Sequence, residues 1–378
     1  MVEQLIAFIG QASSLGELVG QQSEAISQRA RLALRMEEVY GIRQIILTGS
    51  GDSYFAALAA VPAIRAWTGL PVSAMVSMEA SRYVDHGRPP LAGRNRGLLV
   101  IAISSSGEAA RLVEATQRLR MLGAITLAVT ANDDSRLGRA AEKKVNIAIP
   151  FAPSAPGTRS YVASLLGVYH IAIRIAEMLM CMTMDEAEVL RRDLQGLGES
   201  LMGLANELEK PVAERIAAWG DVQAMDCLGS GPSLASACYA AAKLVEAAGI
   251  HAAPQDVEEF HHLNYFVDRP GQVPVVLFAP SQAISKTRTA ELLGTLAELG
   301  RPHLVITDAA DFAPAEVSLV LPKTRELFAP IMQAVPAALL AAYAAERRGV
   351  VHYRGQTGPW CGAQNAGLVR NSKIELPA

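Results

Sequence analysis

Aromatic residues make up only 5% of this 378-residue chain, and its four cysteines (Cys181, Cys227, Cys238 and Cys361) include no Cys-x-x-Cys pair. The scarcity of aromatics, set against abundant alanine, argues for a helix-rich α/β protein and against an all-β one. The cysteine spacing speaks against a disulfide framework or a zinc set, so free thiols in a reducing compartment are expected. A dominant charge is missing too. The 34 basic and 37 acidic side chains leave a formal charge of −3 and a pI near 6.2, which gives no electrostatic footprint for nucleic acid. Unbroken apolar runs such as "LLVIAI" at 98–103 are of strand length and far short of a membrane span. The N-terminus carries Glu3 and no early basic cluster, so it does not read as a signal peptide. A cytoplasmic protein without membrane or nucleic-acid partners is expected.

What the chain does have is a repeated order. After a helix-compatible opening, five apolar runs bounded by turn residues fall at 44–49, 72–77, 98–104, 125–130 and 145–150. A helical bridge follows, and the order restarts at 222–229, 250–257, 273–279, 303–309 and 317–322. Continuous apolar strands alternating with helices indicate parallel sheets covered on both faces. Gly49-Ser50-Gly51 aligns with Gly229-Ser230-Gly231, and Thr130 with Thr307 at the end of each fourth strand. Because motif and order repeat together, the chain reads as a tandem duplication of a three-layer α/β domain with a five-stranded parallel sheet. The boundaries expected are a helical segment at 1–35, a first domain at 36–195, a second at 196–347 and a tail at 348–378.

"LTGSGDSY" breaks a strand on glycines and opens a helix, where N–H groups and the dipole favour an anion. A dinucleotide fingerprint would place a third glycine where Tyr54 stands, and no Lys-Ser or Lys-Thr follows, so a nucleotide P-loop is also missing. A purely structural turn stays open on this stretch alone. "SSSGEA" ends the third strand in the same way, with Ser104, Ser105 and Ser106 before Gly107-Glu108. Two such turns in one domain favour a phosphate monoester held by hydroxyls and helix N-termini. The second repeat runs into "FAPSQAISK" at this point, so one anion site per chain is expected.

"GSGDSY" followed by "SSSGEA" resembles the SIS (sugar isomerase) domain family, and two copies in tandem resemble the isomerase half of glucosamine-6-phosphate synthase. The resemblance implies two flavodoxin-like domains and a sugar 6-phosphate held by Ser50, Gly51, Asp52, Ser53, Ser104, Ser105 and Ser106. Ala109 stands where the family usually has a threonine. "GTRSYVAS" matches another family segment and adds Ser164, with Arg159 in place of a glutamate.

"AAKLVEAAGIHAAPQDVEEFHHL" resembles the family's catalytic run. This implies that Glu246 is the proton-moving base, Glu259 the conserved-motif acid and His262 the ring-opening histidine, contributed in that family by the neighbouring subunit. A homodimer with shared sites, or a larger even oligomer, follows from the resemblance. Chemically, one carboxylate and one imidazole suit aldose–ketose isomerisation, and burial in an alanine-lined cleft is expected to raise the pKa of Glu246. The adjacent pair His261-His262 is poor spacing for a metal, so neither metal nor cofactor is expected. The family's Gly-Pro after the histidine is Leu263-Asn264 here. In the tail, Arg370 aligns with the family's catalytic lysine, and Lys373 lies three residues on. No N-terminal cysteine nucleophile precedes the repeats, so ammonia from glutamine is not expected. The expected activity is isomerisation, deamination or deglycation of a 6-phosphorylated sugar or amine adduct. A non-catalytic phosphosugar sensor is the alternative.

Overall fold

A computed structural model of the chain describes residues 2–84, 97–350 and 367–376. Cys361 and most of the C-terminal tail lie outside the described residues. Among those described, helices α1 (Val2–Ser13), α2 (Leu15–Ala33) and α3 (Met36–Gly41) lead into β1 (Gln44–Gly49). The first repeat continues through α4 (Asp52–Thr68), β2 (Val72–Val76), α5 (Ser77–Arg82), β3 (Leu98–Ile103) and α6 (Ala110–Met121). It ends with β4 (Ile125–Thr130), α7 (Arg136–Ala140), β5 (Lys143–Asn146) and α8 (Arg159–Met178). Helices α9 (Met184–Leu201) and α10 (Leu204–Trp219) lead to β6 (Ala224–Leu228), α11 (Pro232–Ala248), β7 (His251–Gln255) and α12 (Val257–Phe260). The second repeat closes with β8 (Val275–Phe278), α13 (Lys286–Glu298), β9 (His303–Thr307), β10 (Ser318–Val320) and α14 (Ala329–Arg347). The short α15 (Leu368–Asn371) lies in the tail.

All pairings in both sheets are parallel, in the orders β2-β1-β3-β4-β5 and β7-β6-β8-β9-β10. The two repeats thus share one winding, and its direction reverses between β1 and β3 in one sheet and between β6 and β8 in the other. Every residue of β3 and of β8 is buried, as their unbroken apolar sequences require of central strands covered on both faces. One strand differs from the sequence expectation: β5 occupies 143–146, not 145–150. The Asn146 side chain takes the Ala148 N–H at 2.8 Å, which turns the chain away from the sheet edge.

The chain divides into two compact units. One holds the first sheet and comprises Leu18–Pro150, Ser160–Gly196 and Gly362–Ala378. The other holds the second sheet and comprises Met1–Glu17, Phe151–Arg159 and Leu197–Cys361. Among the described residues two helical stretches, Arg159–Met178 and Glu326–Arg347, are long and apolar enough to cross a membrane, although no single apolar run in the sequence suggested it. Each is 89% buried within the protein over its apolar window, as core helices are. In α14 the apolar character comes mainly from alanine, whose small side chain lets neighbouring helices approach closely.

Candidate active site

The reversal between β1 and β3 in the first-sheet unit brings two glycine-containing turns to adjacent strand ends. Gly49 is needed there because a Cβ would come within 2.7 Å of the Ser53 carbonyl carbon and 2.8 Å of the Tyr54 nitrogen. Gly51 precedes the first residue of α4 with a φ of +55°, a conformation that favours glycine. The Ser50 and Ser77 hydroxyls lie 2.6 Å apart, so the end of β2 is tied to this turn. Asp52 and Ser53 occupy the first turn of α4, and both are half-buried.

The neighbouring turn is seated more firmly. Ser104 is buried and its Oγ accepts the Gly107 N–H at 3.0 Å, while Ser106 Oγ, which is exposed, accepts that of Glu108 at 3.4 Å. The Ser105 carbonyl accepts the Ala131 N–H at 3.0 Å and the Thr130 hydroxyl at 3.3 Å, joining the turn to the end of β4. Gly107 has a φ of +68°, and a Cβ there would fall 2.0 Å from Ser135 Oγ. Its carbonyl accepts the Leu137 N–H at 2.9 Å, and Glu108 Oε1 accepts that of Arg136 at 3.2 Å. The serine turn therefore rests on the start of α7, where Ser135 caps the helix through Gly138 N–H at 3.1 Å. Hydroxyls and helix N-termini gathered at a sheet's switch point are an arrangement that can hold a phosphate. Ser164 is different in kind: it is buried in α8, and its hydroxyl is donated to the Ser160 carbonyl at 2.8 Å.

The corresponding turn of the second-sheet unit is built otherwise. Gly231 has a φ of +58°, much as Gly51 does, but α11 opens with Pro232, which has no N–H to offer. Glu326 Oε1 lies 3.6 Å from where a Cβ on Gly231 would stand, so a carboxylate of the chain itself occupies the neighbourhood. Burial pushes the Glu326 carboxyl above its ordinary range, against the opposing effect of the Ile284 N–H.

Helix α11 carries Glu246, and here the structure corrects the sequence expectation. The Glu246 side chain is 47% exposed, not enclosed in a cleft, and it is bonded to Lys243 Nζ at 2.6 Å. Lys243 is the buried partner, with 1% of its side chain exposed and its ammonium 5.3 Å from the centre of the Tyr239 ring. Tyr239 in turn donates to the Gly157 carbonyl at 3.3 Å and to Thr158 Oγ1 at 3.1 Å. The sequence reading missed Lys243. Its i,i+3 spacing from Glu246 was a legible signal, but nothing in the spacing shows that the lysine is buried. Glu259 is exposed on α12. His262 follows that helix with 65% of its side chain exposed, and its Nε2 lies 3.5 Å from Glu258 Oε1.

The tail residues are held by the main chain. Arg136 donates to the Arg370 carbonyl at 2.6 Å, Arg111 to the Lys373 carbonyl, and Arg118 to the Glu375 carbonyl at 3.1 Å. The Arg370 and Lys373 side chains are exposed, and Lys373 Nζ lies 3.7 Å from Glu375 Oε1. Two of the thiols are poor nucleophiles: burial drives Cys227 strongly upward and pushes Cys238 up to about 11. Among the described residues no His, Cys, Asp and Glu cluster is placed to hold a metal.

Residues 38–174 match the SIS domain family by sequence. The first repeat is similar to a SIS domain. Its matched span contains both phosphate-type turns and all five strands of the first sheet. Over 341 residues, 89% of its length, the chain is 27% identical to the isomerizing glutamine–fructose-6-phosphate aminotransferase of Mycobacterium tuberculosis. It spans about half of that relative, 53%. In fold it is similar to the C-terminal domain of glucosamine-fructose-6-phosphate aminotransferase from Francisella tularensis. That match has a TM-score of 0.77 and 21% identity, covering 90% of this chain and 97% of that one. It is likewise similar to glucosamine-6-phosphate deaminase from Thermotoga maritima, with a TM-score of 0.68 and 16% identity over 93% and 96% of the two chains. Both structural matches extend well past the SIS-like span, as expected when the second repeat has the same winding.

Proposed function

We propose that this protein is a phosphosugar enzyme that moves a proton between C1 and C2 of a 6-phosphorylated sugar or amino sugar. The observation that carries the reading is the pair of turns Gly49–Ser53 and Ser104–Gly107 at neighbouring strand ends of the SIS-like first repeat. In the proposed complex Ser53, Ser104, Ser105 and Ser106 give hydrogen bonds to the 6-phosphate, with Ser50, Gly51 and Asp52 shaping the first turn. The relatives named above, one acting on fructose 6-phosphate and one a glucosamine-6-phosphate deaminase, support this substrate class.

For chemistry, Glu246 serves as the base. It takes the proton from C2 of the open-chain aldose and returns it to C1, so that an enediol, or an enolamine from an amino sugar, lies between the two transfers. Lys243 sits where it can share a proton with that carboxylate. His262 protonates the ring oxygen as the ring opens, and Glu259 lies one turn before it. In an amino sugar, protonation of the enolamine at C1 leaves an imine at C2, and attack of water there with loss of ammonia gives deamination. In a fructosamine the proton moves from C1 to C2 and water releases the amine from the C1 imine, which is deglycation. Lys373, by imine formation, and Arg370, by holding an oxyanion, are the tail's candidates for the sugar end. The unit of function is a homodimer in which His262 serves the partner's substrate.

A panel of 6-phosphorylated aldoses, ketoses, amino sugars and fructosamines, read by ketose formation and ammonia release, tests this. Turnover of at least one member is expected. The Glu246→Gln variant should lose at least a hundredfold in kcat while its phosphosugar Kd stays within about twofold of wild type. Ser104→Ala should weaken binding about tenfold, the size of one hydrogen bond to a charged group. Mixing the inactive Glu246→Gln and His262→Ala chains should restore part of the activity if sites are shared. Tight phosphosugar binding with no turnover anywhere in the panel would mean a sensor instead.

A further inference from the structure

His262 sits on an exposed segment, yet the residues on either side of it are held from beneath. Asp226 on β6 is 3% exposed and Arg301, just before β9, is 2% exposed. Their side chains pair at 2.7 Å. Arg301 uses all three of its guanidinium nitrogens: Nε and Nη2 donate to the Val273 carbonyl at 3.0 and 2.7 Å, and Nη1 donates to the Asn264 carbonyl at 3.1 Å. The Asn264 side-chain amide donates to Asp226 Oδ1 at 2.6 Å. On the other side of His262, the Arg301 guanidinium lies 5.3 Å from the centre of the buried Phe260 ring. One buried ion pair thus grips positions 260 and 264. The bow 261–263 between them is further tied by its own main-chain N–H bonds to the Glu258 and Glu259 carbonyls and by the His261 ring, 3.2 Å from Thr295 Oγ1.

A buried ion pair is weak as a stabilising device, since apolar side chains of the same volume would do as well or better. It is good at fixing direction, because a planar guanidinium accepts only certain partner positions. The bow needs such fixing. Leu263 leaves helical geometry, with φ −128° and ψ −77°, and its side chain is 59% exposed, so burial of that side chain does not hold the bend. The tie to Asp226 also depends on an amide at position 264, where a proline, the residue of the resembled family, has no donor.

We propose that Asp226, Arg301 and Asn264 are positioning residues that set the His262 imidazole for ring opening. The proposal rests on the ring-opening role given to His262 above. It separates from that role because the three residues act only on the step for which His262 is needed. An open-chain substrate bypasses this step, and a 5-deoxyketose 6-phosphate has no O5 with which to close a furanose ring.

The test compares wild type, His262→Ala, Asn264→Ala and Arg301→Lys. Each is assayed on the ketose or fructosamine 6-phosphate of the reaction that the panel identifies and on the 5-deoxy analogue of that same compound, because a 5-deoxyaldose would still close a ring through O4. Asn264 is partly exposed, so its alanine variant is expected to fold even if Arg301→Lys does not. On the cyclic substrate Asn264→Ala should lower kcat about tenfold with KM within twofold, and on the 5-deoxy analogue it should match wild type. His262→Ala should show the same split, more deeply. If Asn264→Ala slows both substrates equally, or neither, while His262→Ala shows the split, the positioning role is overturned and the ring-opening role survives. If His262→Ala shows no split, or wild type turns over nothing in the panel, the ring-opening role fails and the proposal fails with it.

Discussion

Gly107 shows how much one position in the serine turn is asked to do. Its φ is positive, its carbonyl anchors α7, and the space a Cβ would fill is taken by Ser135 Oγ, with Thr130 Oγ1 at 3.0 Å beyond. Gly107→Ala should therefore cost about 2–4 kcal/mol of stability, read as a lower urea midpoint, and should abolish phosphosugar binding in any protein that still folds. The glycine itself was visible in "SSSGEA". Its neighbours Thr130 and Ser135 were not assigned to the turn, because both arrive from the end of β4, a strand further along the chain. Glu246 makes the opposite case. Its position on a helix was legible, but its exposure and its bond to Lys243 depend on which face α11 buries. A Lys243→Met substitution removes the paired ammonium while filling similar volume. Its expected signature is loss of kcat with little change in melting temperature.

Among the elements, the docked tail and α6 are joined by charge more than by apolar contact. Glu114 is fully buried on α6, bonded to Arg82 at 2.9 Å, to Arg111 and to the Glu375 N–H at 2.7 Å. Burial opposes ionisation of this carboxyl, but those three partners outweigh it and hold the pKa below the ordinary carboxylate range. Ile374 adds an apolar contact to the cluster of Leu112, Val113 and Leu137. Replacing Glu114 with alanine leaves two guanidinium groups without their shared carboxylate. The cost should be about 3 kcal/mol, with residues 367–376 becoming open to proteolysis before the rest of the unit unfolds. The ten strands were readable as apolar runs between turn residues, within two residues at most ends. β5 was the least readable, since its two lysines and Asn146 give an edge strand little apolar signal.

For the molecule as a whole, the sharpest pH dependence belongs to His170. Burial, aided by the positive charge of Arg191, lowers its pKa to about 3, while Ser23 bonds its Nε2 at 2.9 Å. In the unfolded chain the same imidazole titrates near 6.5. The unfolded state therefore takes up the proton first. Stability is full above pH 6.5 and is lost as the pH falls from there towards 3, by about 1.4 kcal/mol per pH unit from this group. Glu177, which burial alone would raise, is held low by Arg174 and Arg191, so its contribution begins to fade as the pH falls through the usual carboxylate range. Urea unfolding at pH 7, 6 and 5 should show the decline, and His170→Phe should flatten it between pH 6.5 and 5.

The duplication, the parallel sheets and the two glycine-containing turns could all be read along the chain, because strand period, turn chemistry and motif order are local properties. Partnership could not. That Lys243 is buried while its helix neighbour Glu246 is half exposed depends on which face of α11 is covered. That Glu326 stands beside the second turn and that Asp226 and Arg301 hold both sides of His262 are facts about residues brought together from different elements. Burial and hydrogen bonding decide those contacts, and both depend on how the sheets and helices pack rather than on spacing along the chain.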